Sequence, residues 1–251
     1  MSKIQHNTPV SRRKAIGLLG FAGAAVAAAC GSSASPTSPT TSVTTTPTTP
    51  TTPTTPTTPT TPVTPTGTCA VSPNETIGPY PSLADFVRSD IRENKQGLPV
   101  TLTIAVVNTN SACAPVSGAV VDIWQCDADG NYSQYGNERN LTYLRGLQTT
   151  DSTGKVTFVT IYPGWYQGRA THIHVEVTIN GRSAKVTQIA FPEDVTAQVY
   201  RTGVYASSGQ NPTTNSRDGV FSDGVADELI TLTGGDPTSG YRATFQVGIA
   251  L

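Results

Sequence analysis

The stretch RATHIHVEVTINGRSAKVTQIAF, Arg169 to Phe191, decides how the rest of the chain is read. From His172 to Ile179 polar and apolar residues alternate, the period of a strand with one buried face. Ile173, Val175, Val177 and Ile179 fall on one side, His172, His174 and Glu176 on the other. A second strand-like run, Lys185 to Ala190, follows. Asn180-Gly181 between the two is a type I′ hairpin signal, because both central residues of that turn need positive φ.

The same pattern recurs on either side. Pro99 to Val107 (PVTLTIAVV) alternates, with Val100, Leu102, Ile104 and Val106 sharing a face. Ala119 to Trp124 (AVVDIW), Lys155 to Thr160 (KVTFVT) and Tyr241 to Leu251 are further strands. Turn residues separate them at Val116-Ser117-Gly118, Asp129-Gly130-Asn131 and Asp151-Ser152-Thr153-Gly154. Helical periodicity is weak, apart from a short helix near Asp194 to Tyr200. Short strands at this spacing predict an all-β fold over residues 68–251, an antiparallel β-sandwich whose long loops carry function.

The first 67 residues read differently. Ser11-Arg12-Arg13-Lys14 precedes the uncharged run Ala15 to Ala29, the pattern of an export signal over residues 1–30. The paired arginines suggest twin-arginine export, but the usual Phe-Leu after them is missing, which leaves the Sec route open. Ala27-Ala28-Ala29-Cys30-Gly31 resembles a bacterial lipobox, which would make Cys30 a lipid anchor on the cell surface. Ordinary cleavage after the small residues is the alternative. Residues 31–67 form a Thr/Pro-rich linker with Pro47, Pro50, Pro53, Pro56, Pro59 and Pro62 spaced by three. Such a segment buries no core and is expected to be disordered. In polyproline II, the 31 residues from Pro36 to Thr66 would reach on the order of 95 Å at ~3.1 Å each.

Charge narrows the partners. Lys3, Arg12, Arg13 and Lys14 account for four of the sixteen basic residues, and all seventeen acidic residues lie at or beyond Glu75. The globular part therefore carries 12 basic against 17 acidic residues, a net −5. That argues against nucleic acid, and leaves contact with a membrane only through an anchor at Cys30. Cys69, Cys113 and Cys126 permit one disulfide with one thiol left over. The turn-like surroundings of Cys69 and Cys113 favour that pair. No CxxC spacing supports a cysteine-based zinc site.

Of three histidines, His6 lies in the leader, so chemistry falls to His172 and His174. Two imidazoles on one strand face can chelate a single ion; a polar strand face with two solvated histidines is the plainer reading. Tyr132, Tyr135, Tyr143, Tyr162 and Tyr166 crowd the nearby loops. Phenolate is a hard, anionic donor that suits Fe(III) better than a softer ion, and a metal's charge lowers the phenol pKa enough to bind.

Glu75-Thr76-Ile77-Gly78-Pro79-Tyr80, the run from Gly118 to Ala128 and Thr160-Ile161-Tyr162-Pro163-Gly164-Trp165-Tyr166 occur in order before Arg169 and His172-Ile173-His174. Together these motifs, roughly Cys69 to Phe191, resemble the intradiol ring-cleavage dioxygenases, the family of protocatechuate 3,4-dioxygenase and catechol 1,2-dioxygenase. The resemblance implies a non-haem Fe(III) held by Tyr132, Tyr166, His172 and His174, with Tyr166 and His172 axial. It implies active-site roles for Arg169 and Gln188, and a proton-accepting role for Tyr166. The implied reaction joins O2 to a catechol-type substrate and opens the ring between its two oxygenated carbons, giving a muconate-type diacid. Only five residues separate Tyr166 from His172, fewer than in the cytoplasmic members, and the helical N-terminal region of the catechol dioxygenases is missing. The shorter form resembles the family's secreted branch, so substituent preference and oligomeric state do not carry over. A rival reading is a non-catalytic, transthyretin-like or adhesin-type sandwich used for display. Such a module would leave the two tyrosines and two histidines without a joint purpose.

Overall fold

The computed structural model describes residues 69–251; the export signal and the linker expected before them lie outside the described residues. The strands are β1 (Pro99–Asn108), β2 (Ala114–Pro115), β3 (Val120–Trp124), β4 (Arg145–Thr149), β5 (Lys155–Ile161), β6 (His172–Ile179), β7 (Arg182–Ala190), β8 (Thr231–Asp236) and β9 (Gly240–Ile249). One helix, α1 (Glu193–Val199), follows β7. β4-β3-β6-β7 form one sheet, and β2-β1-β9-β8 form the other, with β5 also paired to β1.

The two sheets make a sandwich because β1, β3, β5, β6, β7 and β9 each carry an apolar inner face. Val100, Leu102, Ile104 and Val106 of β1, with Phe158 of β5 and Phe245 and Val247 of β9, share one core with Val121 and Ile123 of β3, Ile173, Val175 and Val177 of β6 and Ile189 of β7. Burying an aliphatic or aromatic side chain contributes roughly 1.5–3 kcal/mol, and this core holds the sheets together. Pairing is antiparallel except between β1 and β9, which run parallel from Val100–Tyr241 to Asn108–Ile249. Asn180 and Gly181 take φ 50° and 76°, as the predicted hairpin turn requires. Cys69 is bonded to Cys113, with Cα atoms 5.8 Å apart, and Cys126 is buried and free. Among the described residues, no helix is long and apolar enough to cross a membrane.

β6 is buried on both faces. His172 and His174 are 2% and 0% exposed, so the histidine face is not a solvated one. The N-terminal segment lies across this sheet: Glu75 N donates to Val186 O, and the Tyr80 carbonyl accepts from Arg145 Nη1 at 2.9 Å.

Candidate metal centre

Two connections bring the polar residues to the outer face of β6. The β3–β4 connection begins with a turn built on Asp127, whose Oδ1 accepts from the backbone N–H groups of Asp129 and Asn131 at 3.1 and 2.8 Å. Lys95 closes on the other carboxylate oxygen at 2.7 Å. This turn delivers Tyr132. The β5–β6 connection carries Trp165, Tyr166 and Arg169, and is tied to the first by Gly164 N donating to Asp127 O at 3.1 Å. The two tyrosines are thereby fixed relative to each other as well as to the histidines.

Four donor atoms converge. His172 Nε2 lies 3.2 Å from His174 Nε2, 3.3 Å from Tyr166 Oη and 3.4 Å from Tyr132 Oη. Arg169 Nη1 is 3.3 Å from the same nitrogen. His172 Nδ1 is 2.6 Å from the Ala170 carbonyl, which fixes the proton there and leaves a single lone pair on Nε2. One lone pair cannot satisfy two phenols, an imidazole and a guanidinium. A cation among the four side chains would resolve that crowding: with bonds of about 2.1 Å, donors ~3.3 Å apart subtend roughly 100° at the ion. Two anionic oxygens and two neutral nitrogens are also a hard donor set suited to a ferric ion.

Protonation states agree with this. Burial, and then the Arg169 charge, push His172 down to about 3. Burial and the neighbouring His172 hold His174 well below the usual histidine range, so both rings are neutral near pH 7. Burial raises the Tyr132 and Tyr166 phenols above their ordinary value, so each needs a cation to ionise.

The surrounding shell is packed on rings. Trp124 stacks on His174 with centroids 5.0 Å apart and planes 4° from parallel. Tyr80 stacks on Tyr132 at 4.7 Å. Gly78, at φ 72°, lies so close to His174 that a Cβ there would meet Cε1 at 2.8 Å. The Arg169 guanidinium donates to both oxygens of Asp218 and, through Nη2, to Gln188 Oε1. Gln188 Nε2 donates to the Thr76 carbonyl at 2.9 Å. Gln188 thus has its amide engaged with Arg169 and the N-terminal segment, and holds the arginine in place.

The remaining loop tyrosines go elsewhere. Tyr135 Oη donates to Pro81 O, Tyr143 Oη to Glu138, and Tyr162 Oη meets Thr196 Oγ1. Asp218, Asp127, Arg145 and Gly78 contribute to the centre without having been singled out by sequence reasoning. Gly78, Tyr80, Trp124 and Asp127 do lie inside the quoted motifs. For Asp218, a lone acid in an irregular connection, no periodic or motif signal exists.

The comparisons with known proteins point the same way. A family model described as Dioxygenase matches residues 78–210. Chlorocatechol 1,2-dioxygenase of Rhodococcus opacus is 28% identical over 124 residues, 41% of this chain and 48% of that protein. The chain thus spans about half the length of that relative. An intradiol ring-cleavage dioxygenase from Tetranychus urticae is similar in structure, with a TM-score of 0.65 and 31% identity over 72% of this chain and 95% of its own. The dioxygenase domain of a dioxygenase–carbohydrate-binding protein fusion from Streptomyces sp. SirexAA-E follows at TM-score 0.56 and 28% identity, covering 72% of this chain and 99% of its own. A family match across more than half the chain, and a neighbour aligned over almost its whole length, agree with the ring of donors around His172 Nε2: the chain belongs to the intradiol ring-cleavage dioxygenase family.

Proposed function

We propose that this protein is a ferric, non-haem dioxygenase that cleaves a catechol-type aromatic with O2, between the two oxygenated carbons, to a muconate-type diacid. The observation that carries the reading is the convergence of Tyr132, Tyr166 and His174 on His172 Nε2 within 3.2–3.4 Å. These four side chains would hold the iron, which supplies the redox chemistry between catecholate and O2 when bound.

The chain's own groups have distinct tasks. The two imidazoles enter neutral, because burial keeps both from protonating. Tyr166 is half-buried and Tyr132 almost fully buried, so Tyr166 Oη is the phenol placed to hold a proton given up by the substrate. Arg169 offers a fixed positive charge and a planar donor fork beside the donor cluster, where negative charge develops during ring opening. Gln188 acts as a positioning residue: its carbonyl oxygen accepts from Arg169, and one of its amide N–H groups is spent on Thr76 O. Tyr80, Trp124 and the N-terminal segment exclude water from the donors, which strengthens each electrostatic contact.

The export signal, the anchor at Cys30 and the Thr/Pro stalk are carried by sequence alone. They complete the proposal as an enzyme held at the cell surface, working on aromatics outside the cell.

The test is direct. Purified protein should be red-brown, with one iron per chain, and should take up O2 with catechol, protocatechuate or hydroxyquinol while forming the corresponding diacid. A protein that stays colourless after iron loading, or that consumes O2 without forming a diacid, would refute the reading.

A further inference from the structure

Away from the tyrosine–histidine centre, a second set of charged groups meets. Glu75 comes from the N-terminal segment, and Asp223 and Glu228 from the connection between α1 and β8; one carboxylate oxygen from each lies within 4.8 Å of the others. None of the three forms an ion pair among the described residues.

Glu228 separates this cluster from an ordinary acidic patch. Its side chain is 0% exposed; Oε1 accepts from Thr187 Oγ1 at 3.1 Å, while Oε2 has no hydrogen-bond partner among the described residues. A buried, unpaired carboxylate oxygen is costly, and native structures rarely leave one. Either a shared proton or a cation removes the cost. A proton neutralises one carboxylate and leaves two others close together. A divalent cation offsets two charges and satisfies the unpaired oxygen in the same step.

We propose that Glu75, Asp223 and Glu228 bind one hard divalent cation of the calcium class, at a site separate from the tyrosine–histidine centre. All the donors are hard oxygens, as such an ion prefers. Their mutual distances fall inside the ~5 Å that separates oxygens on opposite sides of a calcium ion with bonds of 2.3–2.6 Å. Asp223 is exposed, which gives the ion a way in from solvent. Burial, followed by the Glu75 charge, pushes Glu228 up to about 7, as expected of a carboxyl group without a cationic partner.

The position of the site gives it a consequence. Glu75 adjoins Thr76, whose carbonyl takes the Gln188 amide, and Glu228 bonds Thr187, the neighbour of Gln188. Asp223 lies five residues beyond Asp218, the carboxylate that holds Arg169. A cation here ties together the segments that position Arg169 and Gln188.

Full-length, iron-loaded protein freed of calcium should be titrated with CaCl2 by calorimetry and by thermal melting. One saturable site is expected, with a dissociation constant on the order of 10⁻⁴–10⁻³ M, together with a rise in Tm. Glu228→Gln and Asp223→Asn should each lose the saturable heat and the Tm rise. Asp223 is exposed, so its variant reports on the site even if Glu228→Gln folds poorly. Absence of calcium binding in the parent protein, or equal binding in Asp223→Asn, would overturn the proposal. Because heat and Tm are read without substrate, failure here is distinguishable from failure of the dioxygenase reading.

Discussion

Both carboxylate oxygens of Asp218 lie against Arg169 Nε, at 3.0 and 2.9 Å, and Asp218 is 1% exposed. The same carboxylate accepts from the backbone N–H of Ala170 at 2.6 Å and of Val220 at 2.9 Å. Asp218 therefore fixes the Arg169 side chain and, through Ala170, the backbone entering β6. The Ala170 carbonyl in turn sets the His172 tautomer. A residue 49 positions along the chain from Arg169 thus bears on both the charge and the donor geometry of the centre.

Asp218→Asn should keep the size of this side chain but lose its charge and leave one of the N–H groups facing the carboxylate without an acceptor. Removing one partner of a buried ion pair typically costs about 3–5 kcal/mol, because the other charge is left uncompensated. A lower Tm is therefore expected. In the iron-loaded protein, kcat/KM for catechol cleavage should fall about 10²-fold, the scale of a misplaced catalytic group, mainly through kcat. Iron content and the visible band should persist. An unchanged kcat/KM would show that Arg169 does not depend on Asp218.

Four of the five loop tyrosines make a graded test of the donor set. Tyr132→Phe should weaken both the visible band and iron retention, since its Oη is 3.4 Å from His172 Nε2. Tyr135→Phe and Tyr143→Phe should alter neither, because their hydroxyls serve Pro81 and Glu138. Tyr166→Phe should resemble Tyr132→Phe in colour. Iron retention in Tyr132→Phe equal to that of the parent would remove Tyr132 from the donor set.

The β6–β7 hairpin was legible because β6 alternates strictly in sequence and the Asn180-Gly181 turn favours one geometry. β4 was not: its sequence, RGLQT, opens on Arg145, which is fully buried and yet charged, so it reads as a surface stretch. Arg145 is tolerated inside because Ser133 and the Tyr80 carbonyl take its N–H groups. β8, TLTGGD, is mostly exposed and carries two glycines, so neither periodicity nor propensity marks it. The parallel pairing of β1 with β9 joins the two ends of the domain, a relationship that no local pattern encodes. At the centre, His172 and His174 stood out by strand period alone. Choosing Tyr132 and Tyr166 among the tyrosines took the family resemblance, since all five occupy similar loops.

The outer face of the same sheet also carries a pH-dependent element. Asp122 of β3 sits opposite Glu176 of β6, and Ser82 Oγ reaches it at 3.4 Å. Burial first, and then the Glu176 charge, push the Asp122 carboxyl up to about 7; Arg145 opposes the rise and Asp85 adds to it. The folded protein therefore binds this proton more tightly than the unfolded chain, where Asp122 has its ordinary value near 3.8. The favourable contribution is fully present below about pH 4 and is lost as pH rises towards 7. The slope reaches at most about 1.4 kcal/mol per pH unit for one proton. Glu228 and Glu75, also raised, act with the same sign, whereas His172 and His174, kept neutral by burial, act with the opposite sign, so the parent protein combines all of these slopes with that of Asp122. Asp122→Asn places a neutral group beside Glu176 at every pH. Its unfolding free energy, measured in urea from pH 5 to pH 7 in calcium-free buffer, should lose less, or gain more, with rising pH than that of the parent. Because Glu228, Glu75, His172 and His174 are unchanged in the variant, the difference between the two slopes belongs to the Asp122–Glu176 pair. Equal slopes would mean that Asp122 is ionised throughout this range, despite its burial.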